Sequence, residues 1–459
     1  MTLRPLKITG WIVVIAGVVL ATIVLIYIGR GYSYDFHTGR LKLNGLVIFT
    51  SVPGGADISI NGKPIHRRTP YRSTLEAGDY TFDITKDGYR PWTKRISIVP
   101  SEVTWAQYVL LLPTNLETGT WSQAAGVSGL VTSTDHKHFA FVAADTKVWT
   151  FDTGQHQPSI AYTPTAPAPG QPIEAVQTLE FSGDASRLLI TTKSGDKTYQ
   201  RLLTLGSGTV TNLSEQYGFD LQALHFNPTN AQELFWLSPD GLRRINTASQ
   251  SLSAVLADHV ATYTFGGNGQ IVYIATTPLG KSLYTMDTSG QNKREQVQAI
   301  ADSDSYQISY GSYKSDDKIA VLPNKSRTIT LYSELSSAHP ISRIITKSAD
   351  SLSFNSDGRF INFRDGQRLA TYDLELNRTY NFASSKTPYQ NVLWFDTYHL
   401  LTVNTSGVSL VEFDGGNAAE ISGPASGGQI SFTSNQHEVL VVQPQSNGQM
   451  AINAITIKH

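Results

Sequence analysis

From about residue 116 to the C-terminus the chain repeats one pattern: an aromatic or small residue, a polar turn, then an apolar strand. The first copy runs Thr132-Ser133-Thr134-Asp135-His136-Lys137-His138-Phe139-Ala140-Phe141, and the second Phe181-Ser182-Gly183-Asp184-Ala185-Ser186-Arg187-Leu188-Leu189-Ile190. Phe226-Asn227-Pro228 leads to Leu234-Phe235-Trp236, Phe265-Gly266-Gly267 to Ile271-Val272-Tyr273, and Tyr310-Gly311-Ser312 to Ile319-Ala320-Val321. Phe354-Asn355-Ser356-Asp357-Gly358-Arg359 leads to Phe360-Ile361, Trp394-Phe395-Asp396 to Leu400-Leu401, and Phe432-Thr433-Ser434-Asn435 to Val439-Leu440. The strand after the turn begins near 139, 188, 234, 271, 319, 360, 399 and 439, a spacing of 37–49 residues. Most copies continue into a third strand that ends in a polar turn, such as Val148–Asp152 or Leu369–Asp373, and a weaker fourth such as Val210–Leu213.

Four strands per unit at a period of about 40–45 residues predict a β-propeller. One four-stranded unit cannot bury both faces alone; neighbours stacked around an axis bury them, and closing the ring removes most free sheet edges. The count is eight blades, with seven as the alternative if two divergent copies merge. The last copy has three strands, and residues 116–126 supply the missing outer one. The turns at 354–359 and 181–187 resemble the repeats of propellers related to TolB and WD40 proteins. Thr163–Pro172, with four prolines lacking N–H donors, reads as an extended loop between the first two blades.

The N-terminus obeys a different pattern. Ile8 to Gly29 carries no charge and is flanked by Lys7 and Arg30. Some twenty residues at about 1.5 Å rise reach about 30 Å, the thickness of a bilayer core. Trp11 and Tyr27 fall near the two ends, where amphipathic rings favour the headgroup boundary. A cleaved signal peptide has a shorter apolar region, of about 7–15 residues, and a small-x-small site, which Arg30-Gly31-Tyr32-Ser33-Tyr34 does not offer. Residues 1–30 are therefore read as a cytoplasmic stub and uncleaved transmembrane helix, with residues 8–29 in the bilayer, and 31–44 as a linker. Basic residues on the two sides nearly balance: Arg4 and Lys7 before, Arg30, Arg40 and Lys42 after. The orientation chosen is N-terminus inside, body outside.

Residues 45–113 alternate apolar and polar residues, interrupted by Pro53-Gly54-Gly55, Asn61-Gly62, Ala77-Gly78-Asp79 and Asp87-Gly88. About six short strands in this length read as a compact β-sandwich. Asn61-Gly62 is a two-residue hairpin signal, because both central residues need positive φ. The stretch resembles the PEGA domain family through Ser51-Val52-Pro53-Gly54-Gly55-Ala56, Ile58-Ser59-Ile60-Asn61-Gly62-Lys63, Thr69-Pro70, Gly78-x-Tyr80 and Gly88-Tyr89. Gly54 stands where the family usually has Glu. The resemblance implies a small extracytoplasmic sandwich of prokaryotic surface proteins, next to an anchor or another domain, and no enzyme. The motif residues are read as structural. Tyr89, Trp92 and Trp105 are the aromatics available for a sugar-stacking platform, with Trp92 and Trp105 as the binding candidates.

Tests for chemistry return little. The chain has no cysteine, which excludes disulfides and thiolate sites. Its net charge of −1 gives no electrostatic case for nucleic acid. Charged residues are only 16%, below the usual ~25%. Ala275–Ser282 ends like a phosphate loop but lacks the first glycine and a following helix. His136 and His138 share a strand face without a third ligand. Asp152, Asp287, Asp357, Asp373 and Asp414 recur at equivalent turns, as turn-forming residues do. No catalytic residue, cofactor or metal is assigned. The reading is an all-β, membrane-anchored, non-enzymatic binding or scaffolding protein of the cell envelope, its partners envelope proteins or surface glycans. The alternatives are a propeller-type envelope hydrolase acting on glycans or peptides, and a sensor or assembly factor of a membrane complex.

Overall fold

The structure, a computed structural model, describes residues 4–29, 32–35, 39–124, 127–154, 158–217, 221, 223–337, 339–445 and 449–458. It divides into two compact units, Met1–Leu116 with Lys458–His459, and Glu117–Ile457.

The first unit opens with helix α1 (Arg4–Gly29), whose stretch Trp11–Gly29 is uncharged, strongly apolar and exposed along its length. By length and composition α1 is a candidate membrane span; a signal sequence meets the same criterion. Eight strands follow: β1 (Tyr32–Asp35), β2 (Arg40–Val52), β3 (Asp57–Ile60), β4 (Lys63–Arg68), β5 (Tyr71–Glu76), β6 (Gly78–Thr85), β7 (Trp92–Ile98) and β8 (Val103–Leu110). One sheet runs β1-β2-β5 with β8 parallel on β2; the other runs β4-β3-β6-β7. Val47 and Phe49 of β2, Ile58 of β3, Phe82 and Ile84 of β6, and Ala106 and Val109 of β8 are buried between them. Phe49 and Phe82 meet at 4.6 Å between ring centroids. In β2 and β6 every second side chain is inserted, as the alternation requires, whereas β8 inserts Ala106 and Val109 three apart, across a shift in its register with β2. Residues 31–44, expected as a linker, are corrected here: β1 and the first residues of β2 form an antiparallel ladder from Tyr32↔Leu43 to Asp35↔Arg40. Charges at Arg40 and Lys42 interleave with Leu41 and Leu43, so the stretch alternates like a strand rather than a tether.

The second unit holds eight sheets in succession among its described residues, meanders in chain order save that the third carries Ala257–Asp258 as an extra strand on Gly241–Asn246 and the eighth ends in a strand from the start of the unit. Their first strands are Ser128–Thr132 (sheet I), Ala175–Phe181 (II), His225–Asn227 (III), Val260–Phe265 (IV), Tyr306–Tyr313 (V), Ser351–Phe354 (VI), Asn391–Trp394 (VII) and Ile430–Phe432 (VIII). Sheet VIII takes its outer strand from the start of the unit: β9 (Glu117–Ala124) lies antiparallel to Met450–Thr456, from Met450↔Ala124 to Thr456↔Glu117. The first strands of I and II, II and III, IV and V, and V and VI pack against one another, and that of VIII against that of I. The ring is thus closed by a strand 333 residues away in sequence, as the Thr120 to Asn453 hydrogen bond shows.

Apolar cores alternate with polar ties around this ring. Phe139, Phe141 and Phe151 of sheet I bury against Leu440, Val442 and Ile452 of VIII, with Trp121 of β9 alongside. Every neighbouring pair of sheets also shares a hydrogen bond. Tyr162 donates to Glu174 between I and II, Arg187 to Gln232 and Thr247 between II and III, and Arg244 to the Thr288 carbonyl between III and IV. Arg294 donates to the carbonyls of Ser336 and Ser337 between IV and V, and Arg343 to the Tyr372 hydroxyl between V and VI. Asn355 reaches the Thr397 carbonyl between VI and VII, and Gln436 the Phe395 carbonyl between VIII and VII. The Ser434 N–H reaches the His136 carbonyl between VIII and I.

Candidate functional site

The family-motif residues of the sandwich tie its own loops together. Asn61 and Gly62 hold φ of 50° and 74° between the paired residues Ile60 and Lys63, the two-residue turn that the sequence predicts. The Thr69 N–H donates to the Ala56 carbonyl at 2.9 Å, and its Oγ1 accepts the Ala56 N–H at 3.0 Å. The Gly55 N–H returns to the Thr69 carbonyl at 2.9 Å, and Ser51 Oγ meets Thr69 Oγ1 at 2.5 Å. Pro53 and Pro70, both after cis peptide bonds, flank this knot. Lys86 Nζ donates to the Gly54 carbonyl at 2.7 Å. Gly88, at φ 82°, accepts the Thr114 N–H, while Tyr89 bridges to Pro113.

The aromatic candidates separate. Trp92 is only 2% exposed and packs in the sandwich core beside Tyr108. Its place as a binding residue is therefore corrected, since a buried indole offers no face to a sugar. Trp92, Ile96 and Ile98 share one phase of β7, so the packing follows from the strand period. Trp105 is 54% exposed on β8. Trp11 and Tyr27 are both exposed on α1.

The repeated polar turns carry hydrogen bonds of one kind. Ser133, Ser182, Asn355 and Thr433 each donate the backbone N–H to the carbonyl of the residue five positions on, and their side-chain oxygens accept that residue's N–H. Two residues after each stands Asp135, Asp184, Asp357 or Asn435, which accepts the N–H two further on. His136, Ala185, Gly358 and Gln436 then take positive φ. The acids Asp152, Asp287, Asp373 and Asp414 likewise accept N–H groups of their own turns. His136 stacks on Phe432 at 4.1 Å, and burial lowers its pKa. His138 lies on the following strand of the same sheet.

Two clusters of titratable groups remain. At the start of sheet II, Glu174 is fully buried and takes bonds from Arg201, from Thr192 Oγ1 at 2.7 Å and from the Tyr162 hydroxyl at 3.1 Å. Burial works to raise the Glu174 carboxyl, but these donors hold it below the usual range. Burial, then the Glu174 charge, pushes Tyr162 up to about 12. With both Glu174 oxygens engaged by Arg201, Thr192 and Tyr162, this cluster is a structural tie.

The second cluster lies on the first strands of II, III and IV. Glu180 Oε2 meets His225 Nδ1 at 2.7 Å, and Glu180 Oε1 accepts the Phe226 N–H at 3.0 Å. Tyr263 stands edge-on to His225 at 6.0 Å, its hydroxyl donating to the Phe235 carbonyl at 2.8 Å. The bond to Glu180 raises the His225 pKa against the opposing effect of partial burial. The backbone half of this arrangement recurs around the ring: Gln307 accepts the Leu352 N–H, Ser309 the Phe354 N–H, and Gln429 the Leu130 N–H. Glu180 is the single carboxylate and His225 the single histidine on the eight first strands, which otherwise present Ser, Thr, Gln, Asn, Tyr, Gly and apolar residues. Glycoside hydrolysis by paired carboxylates needs two acids across the scissile bond, and these strands do not supply the pair. Glu180 and His225 are not singled out by the sequence. Their signal is positional: each directly precedes the aromatic of its repeat, Phe181 or Phe226, where a side chain faces the next sheet.

The comparisons with known proteins bear on both units. The PEGA domain family model matches residues 44–112, so the sandwich is a PEGA domain. No curated protein sequence matches the chain. Among solved structures the chain is similar to the Dos1 propeller, at 12% identity over 74% of this chain and 94% of that one, with a TM-score of 0.50. It is also similar to Porphyromonas gingivalis dipeptidyl peptidase 4, at 11% identity over 72% of this chain, with a TM-score of 0.50. The chain spans 58% of that peptidase's length. At such identity the likeness carries the fold alone. The chain therefore joins a candidate membrane-spanning helix, a PEGA domain and a β-propeller.

Proposed function

We propose that this protein is a non-enzymatic binding or scaffolding component of the cell envelope. In this reading α1 is an uncleaved single-pass anchor, its N-terminus is cytoplasmic, and both folded units are extracytoplasmic. The observation that carries the non-enzymatic part is the composition of the propeller's first strands. One carboxylate, already bound to His225 and to a backbone N–H, sits among uncharged polar residues that take up the next sheet's N–H groups. Such a surface recognises a partner through hydrogen bonds and shape, without the paired acids or activated nucleophile that turnover requires. Uncharged polar rims suit envelope proteins and glycans, and the net charge of −1 gives no attraction to nucleic acid.

The test uses the absence of native cysteine. Thr178→Cys on the exposed part of a first strand, in the full chain, gives a single attachment point for a photo-crosslinker in intact cells. The expected result is a discrete adduct with an envelope protein or glycan, and no multiple-turnover cleavage of glycan or peptide substrates by the purified chain. Turnover that disappears in Glu180→Gln would replace this reading with the hydrolase.

A further inference from the structure

We infer that the β1–β2 hairpin is a second membrane-contacting element, its apolar face lying in the headgroup region beside the end of α1. The inference rests on the reading of α1 as an anchor. In the hairpin Tyr32 pairs with Leu43 and Tyr34 with Leu41. Directly paired residues share a sheet face, and residues two apart on a strand do too, so all four side chains fall on one side. The other side carries Ser33 opposite Lys42, with Arg40 two residues before Lys42 on the same side. Asn44 donates to Ser33 Oγ at 2.6 Å and Lys42 pairs with Glu76 at 3.3 Å, which fixes that side as the polar one.

The apolar face continues the sandwich core but is not covered by it. Leu41 and Leu43 are in phase with Val47 and Phe49, which are fully buried. Between them stands Gly45, where an added Cβ would come within 2.3 Å of the Val99 carbonyl oxygen. The second layer ends at that crossing. Beyond it Leu41 is 59% exposed, Leu43 37% and Tyr34 51%. A soluble protein rarely leaves such a contiguous ribbon in water.

The occupant follows from where the ribbon starts. Tyr32 is three residues beyond Gly29, the end of α1, and its ring meets that of Tyr27 at 5.1 Å. Three residues reach at most about 11 Å, so β1 begins within or just above an interfacial layer of about 5–8 Å. Tyrosines favour that layer, and leucines gain there by leaving water.

The test places single cysteines, unique in this chain, in the full protein in lipid nanodiscs. Val19→Cys, Leu41→Cys and Lys42→Cys each carry a nitroxide, and collision rates with oxygen and with a water-soluble nickel chelate are compared. The label at 41 is expected to favour oxygen over nickel several-fold more than the label at 42, with the label at 19 strongly oxygen-accessible. Equal nickel access at 41 and 42, with 19 lipid-exposed, would overturn the hairpin inference and leave the anchor standing. Nickel access at 19 would instead overturn the anchor itself. Dipolar broadening at 41 between two copies, with low oxygen access, would assign the face to self-association and refute lipid contact.

Discussion

Truncating Trp121 to alanine tests whether β9 holds the propeller closed. Trp121 sits on β9, half-buried, with its ring edge-on to Phe139 at 6.2 Å and to Phe151 at 5.8 Å. Both phenylalanines belong to sheet I, so this side chain ties the strand that completes sheet VIII to the first sheet of the ring. Removing a fully buried tryptophan costs about 3–5 kcal/mol; half-burial brings the expectation to about 2–3 kcal/mol. For a unit of roughly 340 residues the unfolding entropy at Tm is about 0.7 kcal/mol/K, so Tm falls by about 3–4 °C if the ring melts as one. Differential scanning calorimetry of Trp121→Ala in detergent reads this shift. Amide exchange adds the location: Met450–Thr456, which pairs with β9, should lose protection before the middle strands of sheets III to V. A Tm within 1 °C of the parent together with unchanged protection of Met450–Thr456 would refute closure by β9.

Three further outcomes follow from named contacts. Arg359 forks onto Asp373 at 3.1 and 2.7 Å, and the Asp373 side chain is fully buried; Arg359→Leu leaves that carboxylate unpaired and should cost about 3–5 kcal/mol in urea titration, while adding Asp373→Leu should recover part of it. Glu180 holds the His225 pKa above its unfolded value, so this pair's contribution is complete below the unfolded pKa and is lost as pH rises through the folded one; an NMR titration of the imidazole should show a midpoint above about 6.5, moving down in Glu180→Gln. Trp92→Ala should destabilise the sandwich by about 3–5 kcal/mol, whereas Trp105→Ala, on an exposed ring, should change its thermal melt by less than about 0.5 kcal/mol.

The propeller is legible in the sequence because each repeat pairs a packed aromatic with a turn whose backbone needs are specific. Ser182, Asp184 and Ala185 spell such a turn, and Asn355, Asp357 and Gly358 spell it again. Asn61-Gly62 is legible for the same reason: positive φ at two adjacent residues restricts the choice of side chains. Contacts between sheets are less legible. Glu180 reaches His225 only once sheets II and III stand side by side, and nothing local marks either residue as paired. The β1–β2 ladder escapes notice because a charged residue on one face and an apolar one on the other look like a tether until the register is known. Trp92 illustrates the reverse case: its phase with Ile96 and Ile98 already places it in the core, but its residue type invites a binding role.

The proposed envelope role requires α1 to be an anchor with both folded units on the outer side of the membrane. Protease treatment of intact cells, with mass spectrometry of the released peptides, measures it. The proposed role predicts release of peptides from residues 117–457, with residues 8–29 retained in the membrane fraction. Protection of 117–457 in intact cells, with cleavage after lysis, would contradict it and favour the sensor or assembly-factor reading.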